Sequence, residues 1–142
     1  MDSETRKFIN RIKEEFGNKT TVIIPAQRNR SFTATLKEDG ISVDNLGKQQ
    51  PFLPWKVFVE TINLLTDKGG VAIRGDAMGP KLGSEKLPID SVEGHIAITV
   101  YGQNMGDTVF RRITPVASIL VWAGICENLP GKLALRMPKG QK

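Results

Sequence analysis

The segment from residue 113 to residue 125 reads Ile113-Thr114-Pro115-Val116-Ala117-Ser118-Ile119-Leu120-Val121-Trp122-Ala123-Gly124-Ile125 and predicts a helix with both ends marked. Thr114 suits the N-cap, and Pro115 suits the first helical position because its missing N–H would be unpaired there anyway. Gly124 is expected to end the helix. Between Pro115 and Ala123 only Ser118 is polar. A helix that is apolar on all sides is usually buried on all sides.

The sequence on either side of this helix predicts another helix before it and a β-hairpin after it. Asp90 and Glu93 have the spacing of a capping box, with Asp90 as the N-cap, and predict a helix over residues 91–101. Residues 125–128 and 132–136 predict two strands. The turn that joins them contains proline and glycine, which favour tight turns.

The N-terminal part of the chain predicts a helix followed by a small antiparallel sheet. Apolar residues recur every four positions within residues 8–16, which is the spacing of an amphipathic helix. Residues 20–24 are rich in β-branched side chains and predict a strand. Residues 32–36 and 41–43 alternate between apolar and polar around an Asp-Gly turn, so they predict a β-hairpin.

The middle of the chain predicts one more helix and a long irregular stretch. Residues 50–54 are expected to be a connector, and Pro54 suits the first position of the helix that follows. Gly69-Gly70 is expected to end this helix, and residues 71–74 predict a short strand. Residues 75–87 are rich in glycine and proline and are expected to form a loop.

Together these elements predict an α+β protein. An N-terminal lobe of a helix and a β-hairpin, residues 1–53, is expected to pack on a second lobe, residues 54–142. The alternative is one continuous domain, since 142 residues is an ordinary size for one domain. The residues expected to form much of the core are Phe8, Ile12, Phe16, Phe32, Leu36, Trp55, Phe58, Ile62, Ile96, Val100, Ile119 and Trp122.

Residues 55–136 resemble the winged-helix variant of the helix-turn-helix. Their predicted order is helix, short strand, helix, turn, helix and two-stranded hairpin, and the segment 113–125 is similar to the stretch where such a domain's capped helix runs into its first wing strand. The resemblance implies a DNA-binding module with helix 91–101 in support and helix 115–123 in the major groove. It implies double-stranded DNA as the partner.

The predicted groove helix departs from the winged-helix pattern. Helices that recognise base edges expose side chains such as Arg, Lys, Asn, Gln or Ser, whereas helix 115–123 has only Ser118. Two interpretations follow. In one, the helix belongs to the core and is covered by the N-terminal half or by a second subunit. In the other, contacts with nucleic acid are made elsewhere on the module.

Charge indicates where such contacts would lie. The net charge is +5, and six basic residues stand against two acidic ones from residue 107 to the end. A basic surface of this kind suits a polyanion, although a solvated basic tail has the same composition. Four of these residues are predicted to contact phosphates without recognising sequence: Arg111, Arg112, Lys132 and Arg136.

The sequence contains no constellation typical of an enzyme or a metal site. His95 is the only histidine, and Cys126, the only cysteine, is expected to be a buried, inert thiol. Asp90 and Glu93 are assigned to helix capping rather than to a hydrolytic cluster with Asp76 and Glu85. No metal, cofactor or catalytic residue is therefore predicted. A polar start and the absence of a long apolar run lead us to expect a cytoplasmic protein outside the membrane.

Two functions from different classes remain open on the sequence. The first is a non-enzymatic nucleic-acid-binding module whose four basic side chains converge on one exposed face. The second is a protein-interaction or dimerisation module with a winged-helix shape, in which the apolar face of helix 115–123 meets a second copy or another protein.

Overall fold

The computed structural model describes residues 3–46 and 51–136. Within them the chain is an α+β protein with four helices and two antiparallel sheets. In chain order the elements are α1 (Ser3–Phe16), β1 (Thr21–Pro25), β2 (Ser31–Leu36), β3 (Gly40–Val43), β4 (Phe52–Pro54), α2 (Trp55–Asp67), β5 (Val71–Ile73), α3 (Val92–Thr99), α4 (Ile113–Trp122), β6 (Cys126–Leu129) and β7 (Lys132–Leu135).

The first sheet has the strand order β1-β2-β3-β4. The predicted hairpin is confirmed, with Leu36 opposite Ile41 across β2 and β3. The expectation of a plain connector before α2 is wrong, because β4 pairs with β3 and sets Leu53 opposite Ile41. Proline is tolerated in β4 because this strand is at the edge of the sheet. Gln50, the first residue of the predicted connector, lies outside the described residues.

The second sheet has the strand order β5-β7-β6. The predicted hairpin of β6 and β7 is confirmed, with Leu129 opposite Lys132 at its turn. The short strand after α2 joins this hairpin through β7, where Ala72 lies opposite Leu133. The second half of the chain therefore runs helix, strand, helix, helix and hairpin, and its first strand completes the sheet of the hairpin.

Helix α4 lies in the core of the protein. Its residues from Pro115 to Leu120 are all buried. The N-terminal part of the chain covers it: the ring of Phe16 on α1 meets Trp122 edge-on, with 5.2 Å between the ring centroids. Arg11, also on α1, donates from Nε to the carbonyl of Ala123 at 3.0 Å, which places a positive charge at the helix C-terminus. Of the two interpretations of this helix, the structure agrees with a core element covered by the N-terminal half.

Helices α3 and α4 begin differently from the sequence prediction. The N-cap of α3 is Ser91, whose Oγ accepts from the Gly94 N–H at 3.1 Å. Asp90 instead accepts from Lys68 Nζ at 2.7 Å. Helix α4 begins at Ile113, with Arg112 in the N-cap position and no side-chain cap of its own. The predicted caps at Asp90 and Thr114 are therefore wrong, because contacts with distant residues decide between neighbouring cap candidates.

One buried cluster contains side chains from both predicted lobes, including Ile12, Phe58 and Ile119. Every residue predicted for the core belongs to this cluster or packs against it. The predicted boundary between residues 53 and 54 falls inside β4. The two parts of the chain thus share one apolar interior.

Gly40, the first residue of β3, has no room for a methyl group, so an alanine there should destabilise the protein. A Cβ at Gly40 would overlap the Leu53 carbonyl oxygen and crowd Pro54 on β4. We expect Gly40→Ala to lower the free energy of unfolding by about 3 kcal/mol in urea titrations, because backbone atoms must move apart. Gly17→Ala is the control: that glycine has a φ of 60° and open space around it, so only about 1 kcal/mol of backbone strain is expected. Equal losses in the two variants would contradict this account of the β3–β4 contact.

Candidate functional site

Arg112, one of the four predicted phosphate contacts, is buried. Its exposed fraction is 3%. The guanidinium carbon lies 3.7 Å from the centroid of the Tyr101 ring and 4.9 Å from that of Phe110. Nη1 donates to the Phe110 carbonyl at 3.2 Å. The prediction of a surface phosphate contact at Arg112 is therefore corrected: its side chain is enclosed by the segment that connects α3 to α4.

Glu93 provides the cap that the sequence assigned to Thr114. Both of its carboxylate oxygens accept from the Arg112 N–H, at 3.1 and 3.0 Å, just before α4 begins. A negative charge at this end of a helix is stabilised by the unpaired N–H groups and the helix dipole. Glu93 caps α4, and its predicted role in capping its own helix is wrong.

The Glu93 carboxylate is also removed from solvent. Only 1% of the residue is exposed. Burial raises the pKa of Glu93 to about 7, and the backbone N–H groups of Arg112 and Ile113 with the nearby arginine charges oppose that rise only in part. The start of α4 therefore contains a carboxyl group that changes charge near neutral pH.

A cleft of about 720 Å³, here called the Arg74 cleft, lies between the second sheet and the loop after β5. Arg74 follows β5, and its Nη1 donates to Asn128 Oδ1 on β6 at 2.7 Å. Burial and the positive charge of Arg111 lower the pKa of Arg74. The cleft is lined by Gln27, Ile73, Arg74, Gly75, Asp76, Ala77, Met78, Glu85, Lys86, Arg111, Ile113, Asn128, Leu129, Pro130 and Gly131.

A second cleft, of about 510 Å³ and here called the Arg28 cleft, lies beside the turn between β1 and β2. Arg28 and Asn29 adopt φ values of 61° and 57° at the centre of this turn. Two successive positive φ values give a type I′ hairpin turn, which asparagine tolerates better than arginine does. The lining includes Arg28, Arg30 and Arg111 together with Phe110 and Asn45. Arg111 and Gln27 line both clefts, so the two are neighbours.

The other predicted phosphate contacts lie elsewhere. Lys132 lines a separate cavity of about 300 Å³ with Lys68 and Asp90. Arg136 is exposed just after β7, where its N–H donates to the Ile125 carbonyl at 2.9 Å. The structure therefore does not bring the four predicted residues together in one cavity. Lys139 and Lys142, which contribute to the basic C-terminal charge, lie outside the described residues.

The clefts contain basic residues that the sequence prediction did not select. Arg74 and Lys86 stand in or beside the glycine-rich loop, where no motif pointed to them. The Arg-Asn-Arg turn has a sequence suited to an anion, but a solvated loop has the same composition. Only the fold brings these residues to Arg111.

The single histidine and cysteine have structural surroundings. His95 Nε2 lies 3.0 Å from Glu60 Oε1 and connects α3 to α2. Cys126 is buried, which raises the pKa of its thiol to about 12 and makes it a poor nucleophile, as the sequence predicts. Over residues 3–46 and 51–136, no group of three or more His, Cys, Asp or Glu side chains could hold a metal ion. In the same part of the chain, no helix is long and apolar enough to cross a membrane.

Comparison with known proteins returned no matching protein family, no matching curated sequence and no matching solved structure.

Arg111 and Arg112 are adjacent in sequence but differ in burial, which predicts that the same substitution destabilises the protein at one position and has little effect at the other. Arg112→Ala removes the cation between two rings and leaves Glu93 without a nearby buried counter-charge, so we expect a loss of about 3 kcal/mol in the free energy of unfolding. Arg111→Ala changes an exposed side chain and should alter stability by no more than about 0.5 kcal/mol. Chemical denaturation of both variants measures the difference. Similar stabilities would contradict the buried position of Arg112.

The buried carboxyl of Glu93 predicts a stability that depends on pH. The pKa of Glu93 is about 7 in the folded state, against an ordinary value of 4.5. Between these two pH values the carboxyl is protonated in the folded state and ionised in the unfolded state. The stabilisation is complete below about pH 4.5 and is lost as the pH rises through about 7. Relative to Glu93→Gln, which keeps an acceptor oxygen and cannot ionise, the native protein should lose on the order of 2 kcal/mol between about pH 5 and about pH 8. Parallel stability curves for the two proteins would rule out this titration.

Proposed function

We propose that this chain is a non-enzymatic nucleic-acid-binding module that contacts the phosphate backbone through the Arg74 and Arg28 clefts. The observation that carries the proposal is the position of Arg111 in the lining of both clefts. Arg28 and Arg30 line one of these clefts together with Arg111, and Arg74 and Lys86 line the other. A polyanion could therefore follow one basic path.

The balance of charge along this path favours a polyanion. The two linings contain five basic residues, Arg28, Arg30, Arg74, Lys86 and Arg111, and two acidic ones, Asp76 and Glu85. Arginine donates several N–H groups in a fixed plane, which suits the oxygens of a phosphate. Contacts of this kind give affinity and orientation without sequence recognition.

The order of the elements supports a winged-helix-like module in residues 55–136. Helix α2, strand β5, helices α3 and α4 and the β6–β7 hairpin follow one another in the order of that superfamily, and β5 pairs with the returning strand of the hairpin. The hairpin turn corresponds to the wing, and its residues 129–131 line the Arg74 cleft. We therefore assign nucleic-acid contact to the wing and the β1–β2 turn, since α4 is buried.

A protein-interaction role through helix 115–123 has less support, because α4 is covered within its own chain. The outer face of the second sheet, which borders the Arg74 cleft through Ile73 and Leu129, also suits a protein partner. It has three partly exposed apolar side chains, Val71, Ile73 and Leu129, with exposed fractions of 38%, 39% and 37%. This face is the surface to test for a protein partner if nucleic-acid binding is not observed.

Fluorescence anisotropy with a labelled mixed-sequence DNA duplex tests the proposal. We expect binding at about 50 mM salt that weakens steeply at about 200 mM, because each phosphate contact releases bound counterions. Arg28→Ala and Arg111→Ala should each weaken binding several-fold and reduce the salt dependence by about one contact.

Arg6→Ala is the matched control, since Arg6 is an exposed arginine on α1 that lines neither cleft. It should leave affinity nearly unchanged, whereas a loss equal to that of Arg111→Ala would place the binding surface outside the two clefts. If no duplex binds even at about 50 mM salt, where electrostatic contacts are strongest, the proposed function is wrong.

A further inference from the structure

Arg74 and Arg111 bring two positive charges to the same cleft from distant parts of the chain. Their charges are close enough that Arg111 contributes to the lowered pKa of Arg74. Within the described residues, neither arginine forms an ion pair with a carboxylate. Arg74 is partly buried and Arg111 is exposed, and the buried Glu93 carboxylate attracts both. Because the two like charges repel each other, an anion that contacts both side chains stabilises the pair further.

A hydrogen bond from Arg74 to Asn128 fixes the orientation of the Arg74 guanidinium. The Asn128 side-chain oxygen accepts from Arg74 Nη1 at 2.7 Å, and Asn128 belongs to β6 in the second sheet. A neutral amide orients the guanidinium without cancelling its charge. The other N–H groups of a guanidinium held in this way can donate to phosphate oxygens in a fixed geometry.

The Arg74 cleft is lined by two short loops and contains carboxylates as well as arginines. The loop residues 75–78 and the hairpin turn residues 129–131 both line it. Asp76 and Glu85 line it as well, and the Asp76 carboxylate accepts from the Met78 N–H at 2.9 Å, which keeps it in the loop. A strand that crossed the cleft would carry several phosphates past these carboxylates, whereas a strand that ends there brings only one.

We propose that the Arg74 cleft binds the terminal phosphate of a nucleic-acid strand, with Arg74 and Arg111 as donors, while the adjoining backbone runs along the Arg28 cleft. This inference rests on the proposed nucleic-acid function. A terminal phosphate has a charge of about −1.5 to −2 at neutral pH, against about −1 for a backbone phosphate, so two guanidinium groups favour the terminal group. Arg111 lines both clefts and stands where the end site meets the backbone site.

The test compares one blunt DNA duplex prepared with 5′-phosphate, 3′-phosphate or hydroxyl ends, by fluorescence anisotropy at low salt. We expect one of the phosphorylated duplexes to bind about tenfold more tightly than the hydroxyl-ended duplex, the effect of one well-formed charged contact. Arg74→Gln should remove this preference. Because Arg74 also belongs to the basic path, the variant should weaken binding of the hydroxyl-ended duplex by about one contact, as Arg28→Ala does, so the readout is the affinity ratio of the phosphorylated and hydroxyl-ended duplexes. Arg6→Ala, which changes an exposed arginine on α1 that lines neither cleft, should keep the preference.

A second measurement separates this inference from the proposed function and checks that Arg74→Gln folds. Inorganic phosphate should raise the Tm of the native protein more than it raises the Tm of Arg74→Gln. If all three duplexes bind equally well, the end site is wrong and backbone binding stands. If no duplex binds, both proposals are overturned, and the phosphate-dependent Tm then reports only a site for a small anion.

Discussion

The hydrogen bonds of the Glu93 carboxylate at the start of α4 determine where the cleft residues lie. Both carboxylate oxygens accept from the Arg112 N–H, so the first turn of α4 is fixed against α3. The Arg112 side chain then stacks on Tyr101 and Phe110, while its neighbour Arg111 remains exposed. The Glu93 N–H also donates to the Arg74 carbonyl at 3.0 Å, which connects the end of β5 to α3. One buried acid thus positions the two arginines that share the Arg74 cleft. Hydrogen bonds and three nearby arginines offset part of the cost of burying its charge.

Local pattern was sufficient to predict most of the secondary structure. The four-residue spacing of apolar residues in α1 and their alternation in β2 and β3 arise because each element buries one face. This periodicity can be seen directly in the sequence. The predictions were wrong where two local solutions have similar energies. Ser91 and Asp90 are both good N-caps, and the ion pair of Asp90 with Lys68 decides between them. Residues 52–54 contain a proline and have weak strand propensity, so only their pairing with β3 makes them a strand.

The candidate site was less predictable because its residues are distant in sequence. Arg28, Arg74 and Arg111 belong to a hairpin turn, the end of a strand and a segment before a helix, and no motif connects them. Arg111 and Arg112 are the same residue type in adjacent positions. They differ in burial because the Arg112 side chain lies against the rings of Tyr101 and Phe110. Charge density along the sequence therefore identified Arg111 correctly as an exposed basic residue. It could not show that Arg112 is buried or that Lys132 lines a different cavity.

The apolar sequence of α4, which departs from what the winged-helix resemblance implies for a groove helix, is explained by the N-terminal part of the chain. A helix that enters the major groove must be accessible along one side, but α1 packs its Phe16 ring against Trp122 and donates from Arg11 to the end of α4. With α4 enclosed in this way, apolar side chains on all its faces stabilise the core instead of exposing hydrophobic surface. On the proposed function, nucleic-acid contact must then come from elements that remain accessible. The β1–β2 turn belongs to the same N-terminal part that covers α4, and it contributes two of the five basic side chains of the clefts. The N-terminal part that covers α4 therefore also supplies part of the basic surface on which the proposed function depends.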